Sequence, residues 1–239
     1  MKFHIDIAPH TLHFKQPAGT SRGVYLTRKT WLITLSSPQK PGVVGVGECA
    51  PLPNLSCDDL PNYEERLSQA CQQFCEMGNI NHDELNPYPS IRFGLETALW
   101  QWQRNGSAAF SQTAFARGEM GIPINGLVWM GTFEEMAARI EEKLNLGFRC
   151  VKLKIGAIDF DRELQLLKDI RATFSSHQVE LRVDANGAFT AAEALSKLEK
   201  LAKLDLHSIE QPIAKGQWNE MADLCKRSPL PIALDEELI

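Results

Sequence analysis

Lys152, Lys154, Asp184, Glu210 and Asp235 are the residues whose types and spacing could do chemistry in this chain. Each stands in or just after a short apolar run. The runs are residues 150–156 (CVKLKIG), 179–187 (VELRVDANG), 206–212 (LHSIEQP) and 231–237 (PIALDEE). The polar residues recur at intervals of roughly 25 to 30 residues, which is the length of one strand, one helix and two short loops. One chemical position therefore repeats at the end of each strand of a parallel βα array.

Taken singly, each residue has a plain structural use. An Asp after a strand caps a helix, Glu-Gln-Pro makes a turn, and a K-x-K pair decorates a solvated strand. Their shared position is what gives them another reading. Three carboxylates from neighbouring strand ends suit a hard divalent cation, with Mg²⁺ the best match and Mn²⁺ able to replace it. Without a cation, like charges so close would repel strongly. Lys152 and Lys154 are two apart on a strand and so face the same side, where a buried lysine is costly unless used. Mutual repulsion and desolvation lower the proton affinity of such a pair, moving a lysine toward a base that works near neutral pH. A lysine base beside a carboxylate-bound metal fits abstraction of a proton α to a carboxylate, with the metal stabilising the enediolate.

These residues need a frame. Residues 2–48 read as β structure: Phe3, Ile5 and Ile7 alternate with His4 and Asp6, and further runs lie at 25–35 and 43–47. Turn-type residues at 16–19 and 37–42 separate them, which predicts a three-stranded antiparallel meander. Helical spacing follows at 60–77 (Leu67, Cys71, Phe74, Cys75) and 89–105 (Ile91, Leu95, Ala98, Leu99, Trp102), the second stopped by Asn105-Gly106. Residues 1–115 thus form an α+β domain.

From residue 116 to 239 strands and helices alternate. Strands are expected at 122–129, 151–155, 179–183, 206–209 and 232–234, with helices at 132–145, 159–174, 191–204 and 218–226. Thr132 with Glu135, and Thr190 with Glu193, fit capping boxes. No glycine-rich phosphate loop follows a strand, which argues against a nucleotide-binding open sheet. Polar residues at every successive strand end favour a barrel of the (β/α) TIM type, where those ends share one mouth.

Bulk properties narrow the rest. The chain has 239 residues, 44% hydrophobic and 23% charged, with a formal charge of −5. No basic run suggests nucleic acid or an anionic membrane as partner, and no apolar run reaches a membrane span. The six cysteines include no C-x-x-C pair. Reduced thiols, no secretory signal and a cytoplasmic location are expected.

The same residues resemble a family. Lys152-Leu153-Lys154, Asp184-Ala185-Asn186-Gly187, Glu210-Gln211-Pro212 and Asp235-Glu236 look like the K-x-K, D-x-N, E-Q-P and D-E signatures of the enolase superfamily, in its muconate-lactonizing-enzyme-like subgroup. The likeness covers nearly the whole chain, since those enzymes begin with an α+β capping domain. It implies Mg²⁺ held by Asp184, Glu210 and Asp235. It also implies Lys154 as acid/base, Lys152 as its electrostatic partner, and Asn186 and Glu236 as groups supporting the metal ligands. Residues 47–53, 90–98 and 124–131 resemble the o-succinylbenzoate synthases within that subgroup. That implies a carbon–oxygen lyase of menaquinone biosynthesis, dehydrating 2-succinyl-6-hydroxy-2,4-cyclohexadiene-1-carboxylate. Arg22, in the loop 16–23 of the capping domain, is a candidate for binding an anionic carboxylate substrate.

The barrel signatures alone also suit an N-acylamino acid racemase, a dipeptide epimerase or a muconate cycloisomerase. Enzymes of this kind carry a second lysine one βα period after Asp235, beyond Ile239. Five of eight barrel strands can be counted, so the barrel is expected to be incomplete in this chain. An open parallel edge predicts self-association, and an inactive fragment with only binding or structural behaviour is the alternative of another class.

Overall fold

The computed structural model describes residues 2–20, 23–129 and 131–238. It divides into two compact units, Met1–Gly121 and Ile122–Ile239.

The first unit is a three-stranded antiparallel sheet, β1 (His4–Thr20), β2 (Gly23–Ser36) and β3 (Val44–Cys49), in that order. Three helices follow: α1 (Tyr63–Met77), the short α2 (His82–Leu85) and α3 (Pro89–Gln103). Alternation sends Ile33, Leu35 and Cys49 to one face, where Leu67, Phe74, Ile91, Leu95 and Trp102 of the helices meet them. Phe3 seals this core, its ring centroid 5.0 Å from those of both Phe74 and Trp102. Strand β3 carries glycines because α3 lies on its backbone: a Cβ at Gly47 would sit 1.9 Å from the Gly94 carbonyl oxygen.

Two boundaries differ from expectation. Residues 16–19 are part of β1, not a turn. The pairing slips between His13↔Thr27 and Ala18↔Tyr25, so the stretch forms a bulge. Pro17 has no N–H for the ladder, and a bulge accommodates that without ending the strand. Helix α1 starts at Tyr63, not at residue 60, because Leu60 precedes Pro61 and is held out of the helical region.

The second unit is a five-stranded parallel sheet in sequential order: β4 (Gly126–Val128), β5 (Cys150–Lys154), β6 (Glu180–Asp184), β7 (Ser208–Glu210) and β8 (Ile232–Ala233). Helices α4 (Phe133–Asn145), α5 (Phe160–Thr173), α6 (Ala191–Leu201) and α7 (Trp218–Arg227) connect them. Strands and helices alternate in the βα order expected of a TIM-type barrel. Strand β4 is shorter than its apolar run because Pro123 cannot join a ladder, and Ile122 and Ile124 are exposed. The Thr132–Glu135 capping box is formed, and the Glu193 carboxylate accepts the Thr190 N–H at 3.1 Å.

Alternation decides which face holds the chemistry. Val151, Leu153, Leu181, Val183 and Ile209 are wholly buried against Met136, Ile140, Leu167, Ile170 and Leu198. Cys150, Lys152, Lys154, Glu180 and Arg182 alternate with them and share the opposite face. The six cysteines are free thiols. No helix among the described residues is long and apolar enough to cross a membrane.

Candidate active site

Parallel pairing sets the site. Lys154 lies in register with Asp184, Asp184 with Glu210, and Glu210 with Ala233, across β5, β6, β7 and β8. Asp184 is fully buried. Its Oδ2 accepts from Lys154 Nζ at 2.9 Å and lies 3.0 Å from Lys152 Nζ. Lys152 Nζ also donates to Glu210 Oε1 at 2.5 Å. The two lysines do reach the same side of the strand, as their spacing requires.

The loop after β6 extends this network. Asn186 takes a left-handed conformation (φ 45°), one of the few residue types that tolerates it. Its backbone N–H donates to Asp184 Oδ1 at 3.0 Å and its Oδ1 accepts from Lys154 Nζ at 2.7 Å. Its Nδ2 donates to Glu236 Oε1 at 3.2 Å. Lys152, Lys154, Asp184, Asn186, Glu210 and Glu236 are thus joined side chain to side chain. Asp235 sits just past β8 and is tied in through its backbone N–H, which donates to Gln211 Oε1 at 3.1 Å.

Gln211 entered the sequence reading as part of the Glu-Gln-Pro motif, with no role of its own, and the structure ties it to the site. It is fully buried with φ 39°. Its Oε1 accepts from the N–H groups of Asp235 and Glu237, and its Nε2 donates to the Ile213 carbonyl at 3.0 Å. Its own carbonyl accepts from Gly187 N–H at 2.7 Å. One residue, through its side-chain amide and its own carbonyl, therefore holds the ends of β7 and β8 and the loop after β6 together. Glu237 was likewise missed. Its carboxylate accepts the Gly216 N–H at 3.1 Å and fixes the loop before α7. The signal available was an amide and a second carboxylate embedded in apolar runs.

The electrostatics differ from expectation at Lys152. Two ammonium groups side by side were expected to lower a lysine's proton affinity. Burial does lower that of Lys152, but hydrogen bonds and charges from Glu210 and Asp184 outweigh it and raise the pKa above its ordinary value. Each lysine lies within hydrogen-bond reach of a carboxylate. At Asp184 burial raises the pKa, but hydrogen bonds from Lys154 and Lys152 overcome this and hold the carboxyl below its ordinary value. At Glu210 burial wins. It raises the pKa, and the negative charges of Asp184 and Asp235 add to it against the hydrogen bond from Lys152.

The carboxylates therefore feel one another, as a cation site requires. Among the described residues no three of them are gathered closely enough to hold a metal ion. The Lys152 ammonium stands between Asp184 and Glu210 and supplies the positive charge there. The donor set itself fits a hard divalent ion: the three side chains offer only oxygen, and Glu236 Oε2 beside them is buried without a hydrogen-bond partner. Arg22, the expected substrate cation, lies outside the described residues.

Comparison with known proteins places this geometry in context. A family model described as "MenC, N-terminal domain" matches residues 20–102, and one described as "Enolase C-terminal domain-like" matches residues 135–239. An o-succinylbenzoate synthase of Desulfotalea psychrophila is 43% identical over 95% of this chain and 70% of its own length. The crystal structure of MenC from the same organism superposes with a TM-score of 0.80 at 37% identity, covering 100% of this chain and 72% of that one. The o-succinylbenzoate synthase of Thermosynechococcus elongatus, solved with Mg in its active site, gives a TM-score of 0.74 at 26% identity over 99% of this chain and 69% of that one.

Proposed function

Because the chain belongs to the enolase superfamily, as a relative of its o-succinylbenzoate synthase lyases, we propose that it carries the lysine and metal-ligand side of a dehydratase. The substrate would be 2-succinyl-6-hydroxy-2,4-cyclohexadiene-1-carboxylate, the product o-succinylbenzoate, and the setting menaquinone biosynthesis. The observation that carries this reading is the bonding of Lys154 Nζ to both Asp184 and Asn186 at the shared end of β5 and β6.

Asp184, Glu210 and Asp235 are the residues that would hold Mg²⁺. When bound, the ion supplies positive charge to the substrate carboxylate, making the adjacent C–H more acidic. The chain's own residues then account for the proton. Neutral Lys154 Nζ accepts the proton from the ring carbon that bears the carboxylate. The resulting ammonium is stabilised by Asp184 and Asn186. The electron pair released on carbon forms the new ring double bond as the C–O bond to the hydroxyl breaks. Lys154 returns its proton to the departing hydroxide, so water leaves and the ring becomes aromatic. Lys152 stays protonated, as its raised pKa favours, and offsets the charge of Asp184 and Glu210.

Direct turnover tests this. The cyclohexadiene carboxylate and an N-succinylamino acid are supplied separately with Mg²⁺, and dehydration and racemisation are followed by absorbance and polarimetry. The expected result is dehydration, lost in Lys154→Ala with the fold retained by circular dichroism. Racemisation without dehydration, or near wild-type dehydration by Lys154→Ala, would overturn the reading.

A further inference from the structure

Glu163 is a carboxylate of the second unit that the lysine and metal-ligand network does not include. It lies in the first turn of α5 and is 1% exposed. Its Oε1 accepts three successive backbone N–H groups: Gly156 at 2.7 Å, Ala157 at 3.0 Å and Ile158 at 3.2 Å. Its Oε2 is buried and has no hydrogen-bond partner. Helix α5 does not need it as a cap, because Asp159 already accepts the Arg162 N–H. All its bonds are spent on the loop that begins one residue after the Lys154 strand has ended.

That loop touches the other half of the site. Ile155 N–H donates to the Asp184 carbonyl at 2.8 Å. Gly156 has φ +90°, and a Cβ there would lie 2.4 Å from Ala188 Cβ and 3.0 Å from the Ala185 carbonyl oxygen. The segment pinned by Glu163 therefore lies directly against residues 185–188, which include Asn186. One oxygen thus holds the loop that follows Lys154, and that loop packs against the one that bears Asn186.

We propose that Glu163 is a positioning residue: by clamping residues 156–158 it fixes the separation of Lys154 from Asn186 and Asp184. The role assigned to Lys154 rests on the dehydratase reading, but the clamp does not, and neither do the readouts that test it. Amide exchange at residues 156–158 is measured by mass spectrometry. The acylation rate of Lys154 is measured relative to Lys152 at fixed pH. In Glu163→Ala the loop amides are expected to exchange about tenfold faster, and the Lys154 to Lys152 labelling ratio to rise about fivefold as the lysine leaves its partners. Glu163→Gln keeps the accepting oxygen and is expected to restore both values to within about twofold of wild type. If Glu163→Ala does not fold, Glu163→Asp, which withdraws the carboxylate by one methylene, is read by the same criteria. Faster exchange with an unchanged labelling ratio would overturn the proposal, since Glu163 would then only order the loop. So would Glu163→Gln behaving like Glu163→Ala. Loss of dehydratase activity in all forms would leave the clamp untouched and count against the function instead.

Discussion

Asp184 and Glu210 are register partners on β6 and β7, and Lys152 Nζ stands between them, 3.0 Å from Asp184 Oδ2 and 2.5 Å from Glu210 Oε1. The carboxylate pair is thus held together by an ammonium from a third strand. This arrangement fixes how the site should respond to charge, pH and cations.

Replacing Lys152 removes that ammonium and leaves Glu210 without its hydrogen-bond donor. Lys152→Met is expected to lower stability by about 1–3 kcal/mol, the cost of stranding a desolvated polar partner. Mg²⁺ should then raise the melting temperature of the variant more than that of the wild type, because binding to the folded state offsets the exposed repulsion. Equal shifts in both proteins would show that the ammonium and the ion do not compete for one place.

Asp184 should set the acid limit. Burial raises its pKa, yet Lys154 and Lys152 hold it below the ordinary 3.8. A depressed carboxyl stabilises the fold fully above its unfolded value and loses that contribution as pH falls through the folded one. The stability gap between wild type and Asp184→Asn, from urea titrations, is expected to stay level from neutral pH down to about 5 and to shrink below about 4. Near neutrality the gap should be on the order of 2–4 kcal/mol, reduced from a fully buried pair because both lysines are partly exposed.

Gln211 holds the Asp235 backbone from the end of β7. Gln211→Leu keeps the volume but leaves two N–H groups and one carbonyl without partners. The expected loss is about 2–4 kcal/mol, from a penalty of about 1–3 kcal/mol for each buried unsatisfied group and some access of water. Mg²⁺ affinity measured by calorimetry should fall by about tenfold, the lower end of the range for residues that orient ligands. Unchanged affinity would separate Gln211 from the placement of Asp235.

Gly47 tests the first unit by itself. A methyl group there would lie 1.9 Å from the Gly94 carbonyl oxygen, a backbone atom that cannot rotate away. Gly47→Ala is expected to cost about 3 kcal/mol or more through forced separation of β3 and α3. Thermal unfolding followed by tryptophan fluorescence, with Trp31 and Trp102 in this core, would show it.

Much of this was legible in the residues themselves. Apolar alternation named the strands, and the recurring polar strand ends predicted that Lys152, Lys154, Asp184 and Glu210 would converge. The misreadings share a cause. Pro17 within β1 and Pro123 ahead of β4 act through the hydrogen-bond ladder, so their effect depends on where the partner strand lies. Lys152 was read by its neighbour in sequence, Lys154, whereas its proton affinity is governed by carboxylates from two other strands. Gln211 is silent for the same reason. An amide in a turn-like tripeptide gives no sign that its acceptor faces a segment about one βα unit downstream.

Strand register has a consequence for how such a site can vary. Neighbouring strands stand about 4.8 Å apart because backbone hydrogen bonds fix that pitch. Lys154, Asp184 and Glu210 lie side by side in register on three adjacent strands, so the spacing between strands dictates the spacing of their Cα atoms. Helices may drift in composition and loops in length without altering that interval. Inherited change can therefore retune what enters the site while the distance between its charges stays constant.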